Sequence, residues 1–128
     1  GAAVQLNERS GLKVFVLGGE MYKNSLSVRG EYAVSGLKNV SCSKLFIGCD
    51  GVDIATGVTC SNIPEAALTN AMMAAASQTV VLMDSSKCRG FGKIGNIEDM
   101  DIIITDSGIP DSLRNKIEDA GVQVIIAD

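Results

Sequence analysis

The chain contains no histidine and no tryptophan, and has only two prolines, two tyrosines and three phenylalanines in 128 residues. Without histidine, the usual base of Ser–His and Cys–His nucleophilic sites is missing, and so is the commonest metal ligand. No GxSxG, Walker A or GxGxxG segment occurs. The four cysteines, Cys42, Cys49, Cys60 and Cys88, include no CxxC pair, which argues against a structural zinc site. Their mostly apolar flanks suit buried thiols in a reducing compartment better than a disulfide framework. Aromatic residues make up 4%, too few to build the stacking platforms of single-strand binders. The net charge is -4 and no Lys/Arg cluster stands out. Direct binding of nucleic acid, where phosphate neutralisation dominates affinity, is therefore disfavoured. No apolar run is long enough to cross a bilayer, and the first residues show neither the basic cluster nor the apolar stretch of a signal peptide. These absences predict a protein of the cytoplasm with no cofactor, no metal and no membrane partner.

What is present points to one globular domain with a real core, since hydrophobic residues make up 46% of the chain. Residues 13–17, 44–49, 79–83, 101–105 and 122–127 read as strands. Residues 30–39, 63–77 and 110–120 read as helices. The longest helix opens on Asn62 with Glu65 three residues later, in the pattern of a capping box, and has Pro64 in its first turn. Leu113, Ile117 and Ala120 share one face of the last helix, which Gly121 closes. Residues 50–53 read as a turn, 54–62 as a loop, and 84–95 as a glycine-containing loop. The strands are continuously apolar and alternate with helices. That pattern predicts an α/β fold of three layers, a mostly parallel sheet with helices on both faces. No internal repeat is visible. Residues 1–11 read as the end of a helix closed by Gly11, an odd beginning for an α/β unit, and predict a fragment of a longer protein.

A parallel sheet gathers the carboxyl ends of its strands on one rim, where ligands of open α/β sheets bind. Asp50, Asp84 and Asp106 stand at three of those ends, and Ser85, Ser86 and Lys87 follow Asp84 directly. Carboxylates there accept hydrogen bonds from a polyol, while an ammonium and backbone N–H groups hold a phosphate. Taken singly, each aspartate is more simply a turn former and Lys87 a solvated lysine. Taken together they predict a site for a polyhydroxylated anion. Ser85 and Ser86 have no activating base, which leaves them hydrogen-bonding roles. Glu65 is a candidate general base for sugar isomerisation, but is more simply a carboxylate in the first turn of its helix. Gly18, Gly19 and Gly57 permit close approach to a phosphate, although glycines after strands mostly serve turn geometry.

An ordered set of short motifs completes the reading: Gly18-Gly19-Glu20, Ser25-Leu26-Ser27 with Gly30, Phe46-Ile47-Gly48-Cys49-Asp50-Gly51-Val52-Asp53, Gly57-Val58-Thr59, Glu65-Ala66-Ala67, Asp84-Ser85-Ser86-Lys87 and Ile104-Thr105-Asp106. Together, over nearly the whole chain, they resemble the C-terminal effector-sensing domain of DeoR-type bacterial transcriptional repressors. The resemblance implies a fold similar to ribose-5-phosphate isomerase and the CoA-transferase group. It implies a cytoplasmic sensor of a phosphorylated sugar or related metabolite, not an enzyme, that forms a homo-oligomer. DNA would be bound only through an N-terminal winged helix-turn-helix, which residues 1–128, a single effector-sensing domain, do not include. The family's first sensor strand, with its Asp/Ser-Gly-Thr-Thr phosphate loop, is not found either. Carried over by motif position, Asp50, Gly51 and Asp53 lie at the sugar end and Lys87 near the anionic part of the ligand, with Asp84 on the same rim. Cys49 stands where the family more often has alanine, and Cys88 where an aromatic is usual. Two other readings stay open. One is an aldose–ketose sugar-phosphate isomerase with Asp50 or Glu65 as base and Lys87 stabilising an enediolate. No glycine-rich segment of the kind that precedes the isomerases' catalytic glutamate precedes Glu65. The other is an oligomerisation module that has lost its ligand.

Overall fold

Short apolar segments that cannot bury themselves alone find partners far along the chain. The computed structural model describes residues 2–9, 11–15, 17–18, 20–21, 28–86 and 90–128. Its elements in chain order are α1 (Ala2–Asn7), β1 (Glu20–Met21), β2 (Val28–Arg29), α2 (Glu31–Gly36), β3 (Cys42–Gly48), β4 (Gly51–Asp53), β5 (Gly57–Cys60), α3 (Ile63–Ala75), β6 (Ala76–Leu82), β7 (Gly92–Gly95), a 3-10 turn (Ile97–Asp99), β8 (Ile102–Thr105), α4 (Asp111–Asp119) and β9 (Gln123–Ile126). Strands β3, β6, β8 and β9 form a parallel sheet in that order. With the helices that flank it, this is the three-layer α/β architecture expected from the alternating pattern. Strands β1 and β2 make a separate antiparallel pair.

The register of the parallel sheet decides which side chains meet. Ile47 pairs with Val81, Val81 with Ile103, and Ile103 with Val124. Registered residues of parallel strands point to the same face, and Ile47, Val81 and Ile103 are all buried. Ile117 of α4 and Val122 join the same core cluster, with Leu113 packed against it. The rows on either side point to the other face and are more open in places: Phe46 is 60% exposed in one, where its partner Val80 is buried, and Leu82 and Ile125 are 46% and 36% exposed in the other.

Three short segments that read as turn and loop are strands. β4, β5 and β7 form an antiparallel sheet, with Val52 opposite Val58 and Cys60 opposite Gly92. Every residue of β5 is buried. Their glycine content hid them, because glycine is depleted in strands and normally marks turns. Here it makes room for backbone. Gly57 has φ 82, in the left-handed region, and a Cβ there would fall on the carbonyl oxygen of Gly95. The helix α3 packs on β5, β6 and β7, and burying Ala66 and Leu68 fixes that contact.

Other stretches differ from expectation as well, and α2 covers Glu31–Gly36 rather than 30–39. No strand forms at residues 13–17 among those described: Lys13, Val14, Phe15 and Leu17 belong to no ladder, and Phe15 is 90% exposed. An apolar run becomes a strand only where a neighbour takes its hydrogen bonds. The long helix stops at Ala75 rather than 77, and β6 starts at once, because Ala76 already pairs with Cys42 of β3. The first helix is present, with Gly11 at φ 84 beyond its end.

Truncating the centre of the core should be costly. Ile103→Ala is expected to lower the unfolding free energy by roughly 2–5 kcal/mol, and Gly57→Ala by about 2 kcal/mol. Phe15→Ala should stay within about 0.5 kcal/mol. Urea unfolding followed by circular dichroism checks all three, and equal losses would contradict this placement of the core.

Candidate functional site

The parallel ladder continues to the carboxyl rim through Met83 N–H donating to Ile104 O (2.9 Å) and Ala127 N–H donating to Thr105 O (2.7 Å). Gly48 pairs with Leu82, and Leu82 with Ile104. Two residues further along each of these strands stand Asp50, Asp84 and Asp106, so the structure brings the three to corresponding positions on one rim. Adjacent strands lie about 4.8 Å apart. Asp128, which follows β9, adds a fourth acid that sequence reasoning did not include.

Each acid is held differently. Asp50 is half-buried and its N–H donates to Thr59 O at 2.8 Å, which seats it beside β5. Asp84 Oδ1 accepts from Ser86 N–H at 2.9 Å and from the Ser86 hydroxyl at 2.7 Å. Asp106 reaches across to the loop after β6. Its Oδ2 accepts from Ser85 N–H at 2.9 Å, and its Oδ1 accepts from the Ser85 hydroxyl and from Gly108 N–H at 2.9 Å. The Ser85 hydroxyl and then the Ser85 and Gly108 amides hold the Asp106 carboxyl below its ordinary value of 3.8. Asp128 repeats the arrangement one strand on, accepting from Ser107 N–H at 2.9 Å. Each of the two bonds from Ser85 and Ser107 amides spans 21 residues. The Asp-Ser pair at 84–85, met again at 106–107, is the sequence signal that could have revealed this.

The loop after β6 is tied at its far end too. Gly90 N–H donates to Thr59 Oγ1 at 2.8 Å, and that hydroxyl donates to Gly51 O at 3.3 Å. Gly51 thus contributes a buried carbonyl under the hairpin. Asp53 sits at the opposite end of β4, about 10 Å along the strand from Asp50. Its Oδ1 accepts from the N–H groups of Ala55 (2.7 Å) and Thr56 (3.2 Å) and shapes the β4–β5 turn. Lys87 and Cys88 lie outside the described residues, as do Gly19 and residues 25–27.

Between the acids of β6 and β8 lies a shallow pocket of about 380 Å³, widely open to solvent and lined by Leu82 and Asp84, by Ile104, Thr105 and Asp106, and by Ala127. That is the size range of small-molecule sites. Thr105 is 3% exposed, and its Oγ1 is a buried polar atom with no hydrogen-bond partner. Glu65 serves its helix instead. Glu65 N–H donates to Asn62 Oδ1 at 2.8 Å, and the Glu65 carboxylate accepts from the Ser61 hydroxyl at 2.9 Å and from Asn62 Nδ2 at 3.4 Å. Gly57 faces backbone rather than an open phosphate site. Burial pushes the Cys60 thiol above its ordinary value of 9.0; a hydrogen bond with Asn62 lowers it, and the charges of Glu65 and Asp50 raise it further. That shift favours the thiol over the reactive thiolate. Among the described residues no group of His, Cys, Asp and Glu could hold a metal ion, and no helix is long and apolar enough to cross a membrane.

An open parallel sheet with acids and a pocket at its carboxyl rim is the arrangement in which ligands of α/β folds are held. Comparison with known proteins narrows this class. Residues 1–107 match the model of the DeoR C terminal sensor domain, and the chain belongs to that family. It is 34% identical over 125 residues to an uncharacterized HTH-type transcriptional regulator, YulB, of Bacillus subtilis (strain 168), covering 96% of this chain and 48% of that protein. It is 35% identical over 123 residues to a putative aga operon transcriptional repressor of Escherichia coli O157:H7, covering 94% of this chain and 46% of that protein. The HTH-type transcriptional regulator GlpR of Haloferax volcanii is 31% identical over 125 residues, covering 96% of this chain and 49% of that protein. The chain thus spans about half the length of the curated relatives it matches. It is a sensor domain of the DeoR type.

The lowered Asp106 carboxyl fixes a pH dependence. A depressed folded value means stability that is present above the ordinary value of 3.8 and is lost as pH falls through the lower, folded value. Asp106→Asn should therefore be less stable than wild type near pH 6, and the two should converge on acidification towards about pH 2. Urea unfolding midpoints across that range test the sign, and a gap that widens in acid would reverse it.

Proposed function

We propose that the carboxyl rim binds a phosphorylated sugar or related metabolite and that occupancy alters operator binding by an N-terminal domain of the full-length regulator. The observation that carries this reading is the pocket of about 380 Å³ between Asp84 and Asp106 at the carboxyl ends of parallel strands. Asp84, with Asp50 on the neighbouring strand end, supplies acceptors for sugar hydroxyls. Gly51 supports that end through the hairpin, and Asp53 shapes the turn beyond it. Lys87, next to Ser86, is assigned the phosphate through the motif it shares with the family. A ligand that favours one arrangement of the sensor shifts the population of DNA-binding geometries by its differential affinity for the two states. A symmetric operator calls for at least a dimer, and the cytoplasm is where such a regulator works.

The relatives are transcriptional regulators, which favours a sensor over an isomerase. The chemistry agrees, since Glu65 is occupied by helix capping and the chain has no histidine to relay a proton. Residues 1–128 act on this reading as one effector-sensing domain.

Isothermal titration of the full-length protein with ribose 5-phosphate, fructose 6-phosphate and glycerol 3-phosphate tests the reading. At least one should bind and alter affinity for operator DNA, and its unphosphorylated counterpart should bind at least about tenfold more weakly. Asp84→Ala should weaken binding about tenfold. No binding of any at millimolar concentration, or turnover of ribose 5-phosphate well above background, would overturn it.

A further inference from the structure

The four rim acids are alike in sequence but not in use. Asp128 holds Ser107 N–H, and Asp106 holds Ser85 by both its N–H and its hydroxyl. The Asp106 carboxylate also accepts from Gly108 N–H, so both of its oxygens face loop donors. The space for this clamp depends on Gly108. A Cβ at that position would lie 2.6 Å from Ser85 Oγ and 2.8 Å from Asp106 Oδ1, tighter than real contacts allow. Ser85 in turn separates Asp84 from Ser86, whose amide and hydroxyl are bonded back to Asp84 Oδ1. The clamp therefore fixes the segment whose aspartate faces the pocket.

We propose that Asp106 is a positioning residue of the sensor: held between Ser85 and Gly108, it sets the conformation of residues 84–86 and so aims Asp84 at the ligand. This rests on the reading of the rim as the ligand site. Asp106 acts through Ser85, not by adding an independent ligand contact. An amide at position 106 is nearly the same shape but offers one acceptor oxygen in place of two, whereas the backbone N–H of Ser85 needs Oδ2 and that of Gly108 needs Oδ1. The charge matters as well, because hydrogen bonds to an ionised acceptor are the stronger kind.

The test uses the full-length protein, its Asp106→Asn, Ser85→Ala and Gly108→Ala variants, and the Asp106→Asn/Ser85→Ala double variant. Amide exchange at Ser86 without ligand should quicken in each single variant about tenfold more than that at Ile125 in β9, which reports the global loss of stability. The dissociation constant for ribose 5-phosphate should rise about tenfold in each, and the double variant should be within about twofold of the worse single one. Multiplying losses in the double variant, or a Ser86 amide indifferent to Asp106→Asn, would overturn the proposal. A variant whose protection at Ile125 falls as much as that at Ser86 reports general destabilisation alone and counts against it; should Asp106→Asn fail to fold, Gly108→Ala, which keeps every charge, decides. If the wild type binds no phosphorylated sugar but Ser86 protection still requires Asp106, the ligand reading fails and the clamp stands.

Discussion

The parallel backbone ladder of β3, β6, β8 and β9 is the constraint from which the rest follows. Side-chain direction in a strand has a period of two, so a shift of one residue would turn every inward side chain outward. The register that buries Ile47, Val81 and Ile103 in one row is thus the same register that aligns the strand ends. Core packing and rim chemistry are specified by one set of pairings. The hydrophobic demand is strong, because each such residue is worth on the order of 2 kcal/mol when removed from water. The polar rim inherits its geometry from that demand at no separate cost in ordering.

Gathering acids on one edge raises the question of what keeps them apart electrostatically. The answer lies in the loop backbone. N–H groups of Ser85, Ser86, Ser107 and Gly108 point at carboxylate oxygens, and such donors favour the ionised form. Carboxylates and loops stabilise one another: the acid gains donors, and a loop with few apolar side chains gains a fixed shape. Thr59 does the same from the hairpin side, where one hydroxyl bridges Gly90 and Gly51. The segment between β6 and β7 is therefore anchored on two different sheets.

Much of this was legible in the chain. Continuous apolar runs at 44–49, 79–83, 101–105 and 122–127, with helices read at 63–77 and 110–120, gave the α/β class, and the ordered motifs led to the family. The rim positions of Asp50, Asp84 and Asp106 followed from the parallel sheet alone. What stayed hidden had physical reasons. The antiparallel sheet of β4, β5 and β7 is made from short glycine-bearing strands, whose composition signals turns unless one knows that backbones approach closely there. The segment at 13–17 has strand composition but no neighbour to pair with among the described residues. How each acid is held was also invisible, because Asp106 and Asp128 take donors from loops that other strands bring beside them, while Asp84 takes them from Ser86 on its own segment.

The direct junction between α3 and β6 has a further consequence. The helix ends at Ala75 and the strand begins at Ala76, with no connecting loop to absorb motion. The chain thus turns back on itself within one residue, and α3 lies against the strand it feeds. The Asn62–Glu65 cap and Asp84 stand at the two outer ends of this reversal, so the hairpin that seats Asp50 and the loop beyond β6 meet on one side of the sheet, where Gly90 N–H reaches Thr59 Oγ1.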